Sequence, residues 1–152
     1  MDVDDRLSSA ARAEWRQRVA WSYYIENYDE AALELAGSVR QGSGAWVSEG
    51  DWVAGLAAWR LGYCALAGEA FSRAANTSSN VELTTAAHYW AHRSLVRCRE
   101  PGLAQDHLYA AAKHSDTLYG MLANEQLGVQ LPPDSKPVPF SRQDWQQLES
   151  TY

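Results

Sequence analysis

Three alanines set the frame for this chain: Ala31, Ala67 and Ala104 lie 36 and 37 residues apart. Each is followed four residues later by a larger apolar residue, Leu35, Phe71 or Leu108, and seven residues later by a small one, Ser38, Ala74 or Ala111. Positions i, i+4 and i+7 share one face of an α-helix. Such a face, recurring at the length of a helix pair, is the signature of stacked antiparallel pairs. In the middle pair Gly55 stands 12 residues before Ala67. Small residues at both places let two helices approach closely, with Phe71 filling the gap. His92 takes the place of Gly55 in the third pair. Val19 takes it in the first, with Trp15 four residues earlier. The spacing predicts an all-α fold, a right-handed superhelical, tetratricopeptide-like stack of about seven or eight helices.

Local chemistry divides the stack. A first helix is predicted over 9–25, with Trp15, Val19 and Tyr23 on its core face, breaking at Asn27. A second follows over 28–40. Ser48 is the expected N-cap of a third, with Asp51 approximating a capping box and Gly62 as its left-handed C-terminal cap. A fourth is expected over 63–75, a polar loop over 76–80, and a long fifth helix over 81–99. Pro101 opens a sixth that reaches Lys113. A seventh, over 116–127, stops at Gly128. This gives a flexible N-terminus (1–8), a helical-repeat domain (9–128), a proline-rich linker (129–140) and the start of one more helix (141–152), capped by Ser141 and carrying Trp145.

A net charge of −6 with Lys and Arg scattered, apart from a mixed cluster at Arg93, Arg97 and Arg99, argues against nonspecific nucleic-acid binding, which needs clustered positive charge. No stretch approaches the roughly 18–20 apolar residues of a membrane span. The start, Met1-Asp2-Val3-Asp4-Asp5, lacks the basic and apolar parts of an export signal. A cytoplasmic location is therefore expected if Met1 is the natural first residue. Two cysteines, Cys64 and Cys98, do not settle the redox compartment. A disulfide is open if the fold brings them together, and two reduced, buried thiols are the simpler expectation.

His88 and His92 have the i, i+4 spacing that can bind zinc, with Cys98, Glu125 or His114 as possible third ligands. Tyr89 stands where zinc proteases carry a glutamate, and His92 fills a packing position of the repeat. No metal site and no cofactor are expected. There is no nucleophile elbow, and Gly42-Ser43-Gly44 is too short for a phosphate loop and has no following Lys-Ser or Lys-Thr.

Two segments carry more than periodicity. Residues 86–95 read Ala-Ala-His-Tyr-Trp-Ala-His-Arg-Ser-Leu, and 117–128 read Thr-Leu-Tyr-Gly-Met-Leu-Ala-Asn-Glu-Gln-Leu-Gly. Together with the helix around Trp52 to Gly62, they resemble the superhelical region of soluble lytic murein transglycosylases. The resemblance spans roughly residues 46–148 and is most specific from Tyr119-Gly120 to Leu127-Gly128. It implies a scaffold preceding a lysozyme-like domain that cleaves peptidoglycan with one glutamate in a Glu-Ser motif. Here Glu149-Ser150 stands at the end of the sequence, with nothing after it to build a cleft, and is read as accidental. The resemblance therefore implies a periplasmic, non-catalytic module that positions or restrains peptidoglycan glycan or a catalytic domain. Trp52, Trp59, Tyr89, Trp90 and Arg93 are its candidate groove residues. The alternative is a helical-repeat adaptor holding a protein or peptide on a concave face.

Overall fold

The computed structural model describes residues 6–129. The acidic start, the linker and terminal helix expected over 130–152, and Glu149 lie outside the described residues.

The described residues form seven α-helices and no strand: α1 (Ser9–Ile25), α2 (Asp29–Ser38), α3 (Trp46–Arg60), α4 (Cys64–Thr77), α5 (Val81–Arg97), α6 (Pro101–Ala112) and α7 (Leu118–Gln126), with a 3-10 turn at Val39–Gln41. Helix α1 packs on α2 and α3, α3 on α4, α4 on α5, and α5 on α6, while α7 closes over α5 and α6.

The repeat is plainest in the turns that fold each pair back on itself. Asn27, Gly62 and Arg99 all have a left-handed backbone, with φ of 65°, 83° and 63°, and stand 35 and 37 residues apart. After each comes a residue with ψ near +67°: Tyr28, Tyr63 and Glu100. The amide of each of these donates to the carbonyl five residues back, on Tyr23, Ala58 and Leu95, at 2.9 Å in all three. This is the C-terminal cap that satisfies a helix's last carbonyls. The carbonyls of Tyr28, Tyr63 and Glu100 then accept from Ala32, Ala67 and Ala104.

That geometry corrects the first pair. Its anchors are Ala32, Ala36 and Val39, all fully buried, and not Ala31, Leu35 and Ser38. On α1 the buried residues are Ala13, Gln17 and Ala20. Trp15 (60% exposed), Val19 and Tyr23 face away from the core they were expected to build. The reason lies in the core's composition. Among the described residues seventeen of the twenty-one buried apolar residues are alanine, so these helices meet through small side chains at short range. Large residues are pushed to the seams and the outside.

The middle pair follows the sequence reading. Phe71 is fully buried, and a Cβ built on Gly55 would lie 2.6 Å from its ring. In the third pair His92 is buried over Ala104, with Nδ1 donating to that residue's carbonyl at 2.9 Å.

Two caps differ from expectation. Ser48 lies inside α3, where its hydroxyl donates to the Ala45 carbonyl, so it does not cap. Asp51 caps nothing either; it is buried and ion-paired with Arg73 at 2.9 Å. The loop expected over 76–80 shortens to 78–80, where Asn80 caps α5 by accepting from the amides of Glu82 and Leu83. Thr117 caps α7, and a Cβ on Gly120 would fall 1.8 Å from the His114 carbonyl oxygen. The glycine of the Tyr119-Gly120 pair is thus demanded by the tight entry into α7. Asn124 then ties α7 to the end of α6 by donating to the Ala112 carbonyl at 2.8 Å.

Cys64, the first residue of α4, and Cys98, the C-cap of α5, form a disulfide with Cα atoms 5.6 Å apart. The expectation of two reduced thiols is overturned. The turns of neighbouring pairs lie side by side, within the Cα separation a disulfide can span.

Candidate functional site

The C-terminal ends of α3 and α5 carry a ladder of aromatic rings and guanidinium groups built by the repeat. In its first rung the guanidinium of Arg60 stacks 3.7 Å from the Tyr24 ring centre and donates to the Tyr24 carbonyl. It also pairs with Asp29 and donates to the Asn27 side chain at 3.1 Å. Thirty-five and 37 residues on, the same places hold Trp59 and Arg97. Arg97 stacks 4.8 Å from the Trp59 ring and donates to the Trp59 carbonyl at 3.2 Å.

The second rung lacks the first rung's acceptors. The place of Asn27 is Gly62, and the place of Asp29 is Cys64, whose sulfur is taken by the disulfide. Among the described residues no carboxylate pairs with Arg97. Arg93, one turn earlier, lies 4.6 Å from the Trp90 ring and 5.4 Å from the Trp59 ring, also without a carboxylate. The two indoles meet edge to face at 5.4 Å. Tyr89 packs against Tyr119 of α7, with ring centres 5.4 Å apart and the planes tilted by 41°. Trp59, Tyr89, His92, Arg93, Val96, Arg97 and Gln126 line a shallow cavity of about 300 Å³.

Of the five residues singled out from the sequence, Trp59, Tyr89, Trp90 and Arg93 come together here. Trp52 stands apart, packed on Phe71 with ring centres 5.2 Å apart. Arg97, visible in the sequence as part of the Arg93, Arg97 and Arg99 cluster, was not among the candidate groove residues, although the register that places Arg60 on Tyr24 points to it.

The arrangement offers guanidinium N–H donors held over indole faces. It suits an acceptor-rich or anionic chain lying along the surface. No acid and base pair in this cavity is placed for bond cleavage. The wall includes His92, whose Nδ1–H is spent on the Ala104 carbonyl; its Nε2 therefore accepts from the Gln126 amide at 2.9 Å.

His88 and His92 both meet α6 but do not join at a common partner. His88 Nδ1 meets Nδ1 of His107 at 2.8 Å, and His107 Nε2 meets Ser72 Oγ at 3.0 Å. Ser72 donates its proton to the Gly68 carbonyl, so the chain has one direction. His107 Nε2–H donates to Ser72, and His88 Nδ1–H donates to His107. His107 is fixed by neighbours 35 and 19 residues away, and nothing local in the sequence marks it. Among the described residues no group of three or more His, Cys, Asp or Glu is placed to hold a metal ion, and Cys98 has no thiolate to lend.

Burial, the neighbouring His107, His114 and Lys113 push the His88 imidazole down to about 4. Burial, opposed by Asp106 and aided by His92, lowers His107. Both stay neutral in the fold at a pH where an unfolded imidazole is charged. The unfolded chain therefore binds more protons, and stability falls as pH drops below the ordinary imidazole value towards about 4. Urea unfolding should show a loss of about 1–2 kcal/mol between pH 7.5 and pH 4.5, discounted for the half-exposed setting. His88→Asn keeps a donor facing His107 but cannot ionise. Its stability should lose most of that slope, and an unchanged slope would place the titration elsewhere.

No protein family, curated protein or solved structure matches this chain.

Proposed function

We propose that this chain is a non-catalytic helical scaffold that holds an anionic glycan of the peptidoglycan class along the Trp59–Trp90–Arg93–Arg97 face. On this reading the three pairs form a right-handed, tetratricopeptide-like superhelix, and the aromatic ladder lies along one edge of it. The single observation that carries the proposal is the second rung of the ladder. There Arg93 and Arg97 are held over indole faces without the carboxylate that neutralises Arg60 one repeat earlier. Fixed donors without an internal acceptor suit a ligand that brings its own.

The Cys64–Cys98 disulfide supports work outside the reducing cytoplasm, because such bonds persist mainly in oxidising compartments. The resemblance of residues 86–95 and 117–128 to lytic transglycosylase superhelices supports the glycan over other anions. An adaptor for an acidic peptide would draw on the same donors, and the compartment is what favours the glycan.

Co-sedimentation with purified peptidoglycan sacculi tests the proposal. The chain should pellet with sacculi, and the paired substitution Arg93→Ala, Arg97→Ala should weaken binding about fivefold to tenfold, equivalent to ~1–1.4 kcal/mol. Added salt should weaken it as well. Pelleting no greater than that of an unrelated acidic protein would sink the glycan reading. Displacement by a free acidic peptide at lower concentration than by soluble glycan would favour the adaptor.

A further inference from the structure

Gln126, the last residue of α7, lines the same cavity as Arg93 and Arg97, and the fold sets the direction of its amide from behind. The setting starts in the core. His92 is buried in the place that glycine holds one repeat earlier. Its Nδ1 lies 2.9 Å from the Ala104 carbonyl oxygen, an atom that only accepts. The proton of the neutral ring therefore sits on Nδ1, and Nε2 keeps its lone pair. Gln126 meets that lone pair at 2.9 Å and must give it an N–H. The oxygen of the same amide, Oε1, diverges from His92, and among the described residues nothing donates to it.

The supports of this amide are themselves held. Asn124, two residues earlier, donates to the carbonyls of Ala112 and Gly120 at 2.8 and 2.9 Å and fixes the last turn of α7 on α6. Tyr119, in the first turn of α7, packs against Tyr89 of α5. An exposed glutamine side chain ordinarily samples many rotamers, and ordering it on a ligand costs free energy. The bond to His92 lowers that cost by ordering the amide before any ligand arrives.

We propose that Gln126 Oε1 is a preset acceptor that gives this cavity a second requirement beyond negative charge: the ligand must carry an N–H or O–H donor close to its anionic group. The inference rests on the glycan reading above and narrows it. A cavity of about 300 Å³ lies at the lower end of small-molecule sites and suits a single sugar-sized group. Arg93 and Arg97 supply donors for a carboxylate, and Gln126 supplies the acceptor for an amide or hydroxyl hydrogen on the same sugar. An acidic sugar with an N-acyl or hydroxyl group beside its carboxylate satisfies both. An anion with acceptors alone, such as sulfate, satisfies the arginines and leaves Oε1 without a partner beneath it. A site built to accept from a ligand N–H or O–H discriminates against ligands that lack one. The pairing of fixed donors with one fixed acceptor thus makes the face selective among anions and not merely attractive to them.

Two probes test this on the full chain at pH 8: purified sacculi, read by co-sedimentation, and sulfate, read by NMR shift titration at matched ionic strength. Gln126→Leu removes the acceptor. It should weaken sacculi binding about fivefold, the worth of one hydrogen bond, and leave the sulfate dissociation constant unchanged. Gln126 is exposed, so the variant should melt within a few degrees of the parent. Sacculi binding that Gln126→Leu leaves intact overturns the proposal. Equal weakening of both probes overturns it too, because the bond to His92 would then be only a tie between α7 and α5. Nitrogen NMR of the His92 ring reads the orientation with no ligand present. Nδ1 should carry the proton and Nε2 none; the opposite tautomer overturns the proposal even where sacculi bind. A parent protein that fails to pellet with sacculi brings down the glycan reading and this inference together. A parent that pellets as well as Gln126→Leu brings down this inference alone.

Discussion

Removing the Cys64–Cys98 bridge will lower the unfolding free energy of this chain by about 3–4 kcal/mol. The bond joins residues 34 apart in sequence, and cross-linking a loop of that length removes a large part of the unfolded chain's conformational freedom. For a chain of this size the loss corresponds to a fall in melting temperature of about 10 °C. The comparison with the neighbouring rung shows why the covalent link dominates. Asp29 and Arg60 hold the first pair to the second beside the turn equivalent to the one at which Cys64, in the place of Asp29, and Cys98, next to the place of Arg60, hold the second to the third. An ion pair that solvent reaches contributes about 0.2–1 kcal/mol. Asp29→Ala should therefore move the melting temperature by only a few degrees, while Cys64→Ser with Cys98→Ser, or a reductant, moves it several times as far. Thermal unfolding followed by circular dichroism reads both. A thiol assay on the denatured, unreduced protein should find no free thiol. Two free thiols, or melting insensitive to reductant, would show that the bridge does not form.

Helix boundaries were legible because they rest on local chemistry. Pro101 opens α6, and Gly62 and Gly128 end helices with a left-handed cap, wherever the rest of the chain goes. The register of the first pair was not legible in the same way. Trp15, Val19 and Tyr23 have the spacing and size of a core stripe, and hydrophobicity ranks them above Ala13 and Ala20. What decides the inside here is how closely two helices can approach, and alanine wins that contest. Once the turns at Asn27, Gly62 and Arg99 fix the offsets at 35 and 37, the error in the first pair corrects itself. The same offsets expose Arg97 as the partner of Trp59, and they set both cysteines beside equivalent turns. The aromatic half of the candidate site could be read from the sequence because Tyr89, Trp90 and Arg93 lie within one turn or so of a single helix. The Ser72–His107–His88 chain could not, because it joins three helices through contacts that leave no mark on spacing.

Phe71→Ala will destabilise the fold by about 3–5 kcal/mol, the usual cost of emptying a buried aromatic site. The side chain is fully buried and contacts both neighbouring seams, with ring centres 5.2 Å from Trp52 and 6.1 Å from Trp90. The alanines around it, Ala58, Ala67 and Ala91, are too short to collapse into the space it leaves. Gly55→Ala approaches the same contact from the other helix. Its new methyl would lie 2.6 Å from two ring atoms, and the ring, walled in by Trp52 and Trp90, has little room to yield. Overpacking costs about 1–3 kcal/mol, whereas alanine gains about 1 kcal/mol over glycine in a helix interior. The net result is a loss of up to about 2 kcal/mol. The informative variant is the double one. With the ring gone, the methyl at position 55 clashes with nothing and fills part of the void, so Gly55→Ala should stabilise the Phe71→Ala protein even though it destabilises the parent. Urea unfolding of the four proteins gives the coupling, which should exceed about 1 kcal/mol. Additive losses would mean that Gly55 and Phe71 do not share a contact, and the packing of α3 on α4 would have to be redrawn.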